Sequence, residues 1–223
     1  AGGWSKNQNR AGSPRLPGQR FANDAETMVQ DPANFDAPVD RFWTFVGTLD
    51  NGATTTEMRF LGRVVAALPG DASARYRQSF VDGVRYLLAA QYPNGGWPQI
   101  WPLEGGFHDG VTFNDDAVSK AAMLLEDVAD DPGYRFVPEH LRQQAARAVE
   151  AAVKVILKAQ VRQDGKHAGW PEQVDPLTLE PISARNYEPR SIASAETTDI
   201  LLFLMRQRDP SPEIRAAVEG GIA

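Results

Sequence analysis

The chain has 223 residues, 42% hydrophobic and 23% charged, with a formal net charge of −6. That length suits one large domain with ample chain for a core, and an acidic balance without a basic run to track phosphates argues against a nucleic-acid partner. There is no cysteine, which excludes disulfides and thiolate metal sites, and no apolar run of about 18 residues that would span a membrane.

The first residues, AGGWSKNQNR, carry no signal peptide and read as the start of a mature or trimmed chain. Residues 1–45 are rich in Gly, Pro, Asn and Arg and lack a period, which predicts long loops with one short helix near Ala22 to Gln30. The helical signal then begins. Met58, Leu61, Val64, Val65 and Leu68 recur at helical spacing, and Pro69-Gly70 ends the run. Phe80, Val84, Leu87 and Leu88 mark a second helix that stops before Pro93. Val118, Ala121, Ala122, Leu125 and Val128 mark a third. Asn114 is its expected N-cap, with Asp115 and Asp116 in the first turn, where the helix dipole favours carboxylates. A fourth helix is expected over about Pro138 to Gln160, a fifth near Ala195 to Arg206, and a sixth from Pro212. No run of alternating strands stands out.

Between the second and third helices lies YPNGGWPQIWP, residues 92–102, whose prolines and glycines break both periods. The chain repeats this passage. LLAAQYPNGGWPQ at 87–99 resembles ILKAQVRQDGKHAGWPEQ at 156–173: a helix ends in Ala-Gln, a turn follows, then Gly-Trp-Pro. A fainter copy, GGWSKN, sits at Gly2 to Asn7. Each copy is followed by a loop and a polar helix start: DNGATTTEM, FNDDAVSK and ASAETTDI. Such a repeat buries its apolar face by stacking on its neighbours. The expected fold is therefore all-α, an (α/α)3 toroid of helical hairpin repeats. It would be incomplete at its termini, because the first copy lacks a preceding helix and the third has little chain after it. Equivalent loops would then converge on one face, where planar aromatics beside polar groups suit a sugar ring.

Several residues there admit two readings. Asp50 and Asn51 in TLDNGATTTEM form a turn and cap, or supply oxygens to a hard cation. In HDGVTFNDDA, Asp109, Asp115 and Asp116 complement a helix dipole or gather Ca²⁺, at a spacing unlike that of an EF-hand. His108 reads as an exposed loop histidine. In SARNYEPRS, Arg185 and Arg190 are surface ion-pair partners or recognise a carboxylate with a planar guanidinium. Lys166 and His167 are further candidates for the cleft.

These segments together resemble the pectate lyases of polysaccharide lyase family 10. The likeness rests on LDNGATTTE, YPNGGWPQIWPL, HDGVTFNDDA and SARNYEP in that order, and runs from GGWSKN to ASAETTDILLFLMR. It implies a single catalytic domain over residues 1–223, short of the full family module, which would add further arginines C-terminally. It implies Ca²⁺-assisted β-elimination of polygalacturonate. Arg185 matches the arginine proposed as the base, Asp50 the calcium- and substrate-binding aspartate, and Asp109 a second acidic residue of that site. Asp115 joins them as an expected metal ligand. Asn51, Trp97, Trp101, Thr112, Tyr187 and Arg190 are the expected substrate-binding residues. Ser5 stands where the family's first motif usually has proline. A secreted or periplasmic monomer is expected, with pectate chains as its partner and no contact with nucleic acid or membrane. Two rivals remain at this point. One is a glycoside hydrolase on an α,α-toroid, with Glu172 and Asp115 as acid and base. The other is a non-catalytic binding module built on Trp97 and Trp101.

Overall fold

The computed structural model describes residues 3–6, 46–103, 105–185 and 187–223. The short helix expected near Ala22 to Gln30 lies outside the described residues, as do all the loops expected before Val46 except residues 3–6. Six α-helices carry the fold: α1 (Ala53–Ala67), α2 (Ala74–Ala90), α3 (Ala117–Asp130), α4 (Glu139–Ala159), α5 (Ser194–Met205) and α6 (Pro212–Ile222). All five expected helices and the sixth are present. Their ends follow backbone chemistry. Leu68 is extended, as a residue before proline prefers, and so closes α1. Ser211 opens α6: its side chain accepts from the Ile214 amide, with Pro212 just inside.

The helices pack as three consecutive pairs, α1 on α2, α3 on α4 and α5 on α6. Contacts also run from α1 to α3 to α5 and from α2 to α4 to α6, so the pairs stand side by side in two rows. One core joins them, with Met58, Phe80, Val84, Leu87, Leu125, Ile156 and Phe203 fully buried. Burying a side chain of this size stabilises by roughly 1.5–3 kcal/mol. On α1 only Met58 of the expected apolar stripe is buried. Leu61, Val64 and Val65 are half-covered by the described residues.

Six two-residue strands lie in the connections: β1 (Gly47–Thr48), β2 (Ile100–Trp101), β3 (Val111–Thr112), β4 (Arg162–Gln163), β5 (Lys166–His167) and β6 (Gln173–Val174). They pair antiparallel as β1–β2, β3–β6 and β4–β5. Each is too short to show an alternating pattern in sequence.

The repeat read from the sequence is a repeat of hydrogen bonds. The carbonyl of Trp4 accepts from Thr48 N–H (3.0 Å), that of Trp97 from Thr112 N–H (3.1 Å), and that of Trp170 from Ala193 N–H (2.8 Å). Trp97 Nε1 donates to the Leu87 carbonyl at 2.8 Å, and Trp170 Nε1 to the Ile156 carbonyl at 2.7 Å. Gln91 Nε2 reaches Gly95 O and Ala148 O, both at 2.9 Å. Gln160 Nε2 reaches Ala168 O (2.7 Å) and Ala217 O (2.8 Å) in the same way. Each glutamine thus ties a helix end to its own loop and to the next helix of its row. The glycine before each tryptophan has no room for a Cβ: one at Gly3 would lie 2.5 Å from Tyr86, one at Gly96 2.5 Å from Val111, and one at Gly169 2.4 Å from Thr197.

This packing corrects one expectation. Trp97 and Trp170 are 0% exposed. Their indoles are buried struts that satisfy helix carbonyls, so Trp97 offers no face to a sugar.

Candidate functional site

Two equivalent turns build the site. Thr48-Leu49-Asp50-Asn51-Gly52 leads into α1, and Thr112-Phe113-Asn114-Asp115-Asp116 leads into α3. Leu49 N–H donates to Gln99 O (2.8 Å), and Phe113 N–H to the equivalent Glu172 O (2.7 Å). Each turn then holds two residues in the left-handed region: Asn51 and Gly52 at φ 50° and 67°, Asp115 and Asp116 at φ 54° and 59°. Asn, Asp and Gly tolerate that conformation best, and it stores strain of the kind found at functional sites. The expected cap at Asn114 is therefore not formed. Asp116 precedes α3, without a side-chain cap bond. The left-handed pair turns the carboxylates away from the helix amides, and the two turns pack against each other.

This brings Asp50 and Asp115 into one hydrogen-bonded pair. Asp50 is nearly buried. Its amide donates to Thr48 Oγ1 (3.0 Å), and its carboxylate accepts from Asn51 Nδ2 (2.8 Å) and meets Lys6 Nζ. Burial works to raise the Asp50 pKa, but hydrogen bonds with Asp115 and Lys6 and the charges of Lys6 and His108 prevail, so it lies below the ordinary carboxylate value. Asp115 moves the other way. Burial, then the hydrogen bond and charge of Asp50, push it up to about 7. Two close carboxylates share one proton because both cannot ionise cheaply. A divalent cation relieves the same repulsion. Two adjoining carboxylates offer the hard oxygens such an ion prefers, and no group of three or more acidic or histidine side chains able to hold a metal occurs among the described residues.

Arg185 lies in the loop before α5, close enough that its charge lowers the Asp115 pKa and the Asp50 charge raises its own. Its Nε donates to both oxygens of Glu188 (3.0 Å each), and Nη2 donates to Oε1. That bond, against a lesser effect of burial, pushes the Arg185 pKa up. The Arg185 Cζ lies 4.8 Å from the centroid of the Tyr187 ring, and that ring is exposed. Arg190 is exposed on the same loop.

Other expected residues fall elsewhere. Asp109 belongs to the neighbouring loop. Its Oδ1 accepts from Gly105 N–H (3.2 Å), its carbonyl accepts from Tyr92 Oη (2.6 Å), and its charge helps burial hold the Tyr92 phenol at about 12. Thr112 is buried in β3 and lines nothing open to a ligand, which corrects its expected role. Trp101, in β2, is half-buried and keeps an accessible part. His108 is 6% exposed, against the expectation of an exposed loop histidine; its ring stacks on Phe107 with centroids 3.8 Å apart. Its charge acts on both Asp50 and Glu188, so it lies near both. Lys166 and His167 sit on the β4–β5 hairpin, where His167 packs against Gly220 of α6.

Lys6 and Glu188 were missed. The signal for Lys6 was its place two residues after the third Gly-Trp copy. The signal for Glu188 was its spacing of three from Arg185 within a loop.

The family model described as pectic acid lyase matches residues 1–223. A solved family 10 polysaccharide lyase from Cellvibrio cellulosa is 36% identical with a TM-score of 0.75, covering 79% of this chain and 55% of that one. A mutant of a family 10 polysaccharide lyase from the same organism, in complex with trigalacturonic acid, is 35% identical with a TM-score of 0.75 and the same coverage. The chain thus spans about half the length of these solved relatives. No curated protein matches it.

Proposed function

The chain belongs to the pectic acid lyase family, and on that premise we propose that it cleaves de-esterified α-1,4-linked polygalacturonate by β-elimination, leaving 4,5-unsaturated oligogalacturonides. The observation that carries this is the pair Asp50 and Asp115, set on duplicated turns within reach of the Arg185 charge. The relative that binds trigalacturonic acid supports the substrate class.

The C5 proton of a uronate is a weak acid, and removing it leaves an enolate-like dianion. Asp50 and Asp115 would hold calcium, which would supply the Lewis acidity that spreads this charge. Asp109 is proposed as a further ligand on the family resemblance alone. Asn51, Trp101, Tyr187 and Arg190 are proposed to orient the chain, with the exposed Tyr187 ring as the aromatic surface that Trp97 does not provide. Arg185 is proposed to take the C5 proton; the C5 electron pair then forms the C4–C5 double bond as the C4–O4 bond breaks, and the departing O4 oxygen takes a proton from solvent. A base must be neutral, and Glu188 opposes that by raising the proton affinity of Arg185. This grip favours a second reading, in which Arg185 stays charged and stabilises the dianion. The two rows of helices are read as an (α/α)3 toroid or a sector of one, and the protein as a secreted or periplasmic monomer.

The test is turnover of polygalacturonate with and without calcium, followed by the ultraviolet absorbance of the conjugated double bond. New reducing ends without that absorbance would indicate hydrolysis, and binding without turnover would indicate a carbohydrate-binding module.

A further inference from the structure

Arg185 and Glu188 form a closed unit within one loop. Glu188 is 5% exposed. Its Oε2 accepts from the Arg185 backbone N–H (3.0 Å) and from Arg185 Nε (3.0 Å), while Oε1 accepts from Nε (3.0 Å) and from Nη2. The backbone closes the same ring: Glu188 N–H donates to Arg185 O (2.8 Å), and Ala184 N–H to Glu188 O (3.1 Å). One carboxylate therefore holds the arginine at both ends, by its amide and by the Nε–Nη2 edge of its guanidinium. Tyr187, between them in sequence, covers one guanidinium face. The Nη1 end, to which no Glu188 bond runs, is the end left for the substrate.

We infer that Glu188 is the positioning residue of Arg185, fixing the plane and reach of its guanidinium beside the Asp50–Asp115 site. The inference rests on the lyase reading of that site. Four torsions separate the Arg185 backbone from its guanidinium, and a side chain so free holds one orientation only when it is anchored. A bidentate carboxylate is the anchor whose geometry matches the guanidinium fork. A buried carboxylate is costly unless it is paired, and here both Glu188 oxygens accept from Arg185. The charge of His108 also favours the ionised Glu188 carboxylate. Glu172 faces the unit as a further carboxylate. Burial raises its pKa, and the charge of Glu188 adds to that.

A loop staple would affect only folding, whereas a positioning residue affects the chemical step. The test compares Glu188→Gln and Glu188→Asp with the unaltered chain in kcat, KM and pH–rate profile on polygalacturonate. A second readout is hydrogen exchange at Arg185 Nε–H by ¹⁵N NMR, which needs no activity. For Glu188→Gln, kcat should fall about 10²-fold while KM stays within about threefold, as expected for a misplaced group. The arginine-dependent limb of the profile should move to lower pH, and Nε–H exchange should quicken about tenfold. Glu188→Asp should recover part of kcat, and it carries the test if Glu188→Gln does not fold. Unchanged kcat, profile and exchange in a folded Glu188→Gln protein would overturn the inference, as would a loss of stability with kcat intact. If the unaltered chain forms no unsaturated product, the lyase reading fails, while the exchange measurement still decides whether Glu188 anchors Arg185.

Discussion

Trp97→Phe separates a strut from a sugar platform. Phenylalanine keeps an aromatic ring in the cavity but removes the indole N–H that donates to the Leu87 carbonyl at 2.8 Å. Leu87 O lies near the end of α2, among carbonyls that lack a helical donor, and Trp97 is fully buried, so water does not replace the lost donor. Leaving one buried acceptor unpaired costs about 1–3 kcal/mol. The smaller ring adds a cavity of the kind that makes large-to-small core substitutions destabilising. At about 2 kcal/mol, Tm should fall by roughly 4–8 °C for a chain of this size. Urea unfolding should show a lower midpoint with an unchanged slope. Well below the transition, KM for polygalacturonate should match that of the unaltered chain. Trp170→Phe should lose a similar amount, because its Nε1 makes the equivalent bond to Ile156 O at 2.7 Å. A Trp97→Phe protein of unchanged stability with a tenfold higher KM would refute the reasoning and return the indole to the binding surface.

Asp50→Asn keeps the turn but removes one charge of the carboxylate pair. Asp115 should then titrate below its value of about 7, read from its carboxyl ¹³C shift, and calcium-dependent turnover should drop roughly 10²-fold or more. Arg185→Ala should abolish turnover. If Arg185 is the base, affinity for oligogalacturonate stays within about tenfold and lysine rescues poorly; if it is a charged clamp, affinity falls with the rate and lysine restores much of both. A second acidic pair predicts a pH effect on stability. Hydrogen bonding to Asp116, with burial and the Asp116 charge, raises Asp199 to about 6, while Lys120 partly offsets this from 2.6 Å on Asp116. A carboxyl whose pKa is raised on folding stabilises fully below its unfolded value and loses that contribution as pH rises through about 6. Tm should therefore fall as pH rises from about 4 to about 6, by a small amount because solvent screens the pair, and Asp199→Asn should flatten that part of the dependence.

The helices were legible because their signal is periodic. Val118, Ala121, Ala122, Leu125 and Val128 define a face, all five are buried, and α3 forms there. The turn at Asp50-Asn51 was legible as a turn, since Asn and Gly signal positive φ, whereas Asp115-Asp116 was not, because two acidic residues after Asn114 read equally well as the first turn of a helix. Their opposition across the site was not legible either, because it depends on how two hairpins pack. The direction of Trp97 was hidden for a similar reason. Composition shows that an indole is present, while a carbonyl ten residues away decides where it points. The steric signal lay in Gly96 and Gly169, whose missing side chains mark loops pressed into the fold. Glu188 was in view throughout, but three residues in a loop carry no fixed geometry until the backbone closes around them.

The two interior copies of the repeat differ in length at one place, and that difference says where this fold can grow. Leu87 and Trp97 are ten residues apart, Ile156 and Trp170 fourteen. Both excursions close on the same backbone bond, Tyr92 N–H to Gly96 O (2.8 Å) and Val161 N–H to Gly169 O (3.0 Å). The extra chain is a hairpin, β4–β5, turned by Asp164 and Gly165 at φ 52° and 77°. Everything below the closing bond is unchanged by what lies above it. Lengthening a loop so clamped costs little, about 0.6 kcal/mol per doubling. The crest between Tyr92 and Gly96 is pinned, with no room for a Cβ on Gly95 against Ala151 and with Gly95 O held by Gln91, whereas a Cβ on Gly165 would meet nothing within 4 Å, so the tip of β4–β5 is the natural grafting port. A guest hairpin set there would be carried by the scaffold without disturbing the indole strut, the glutamine tie or the carboxylates beyond them.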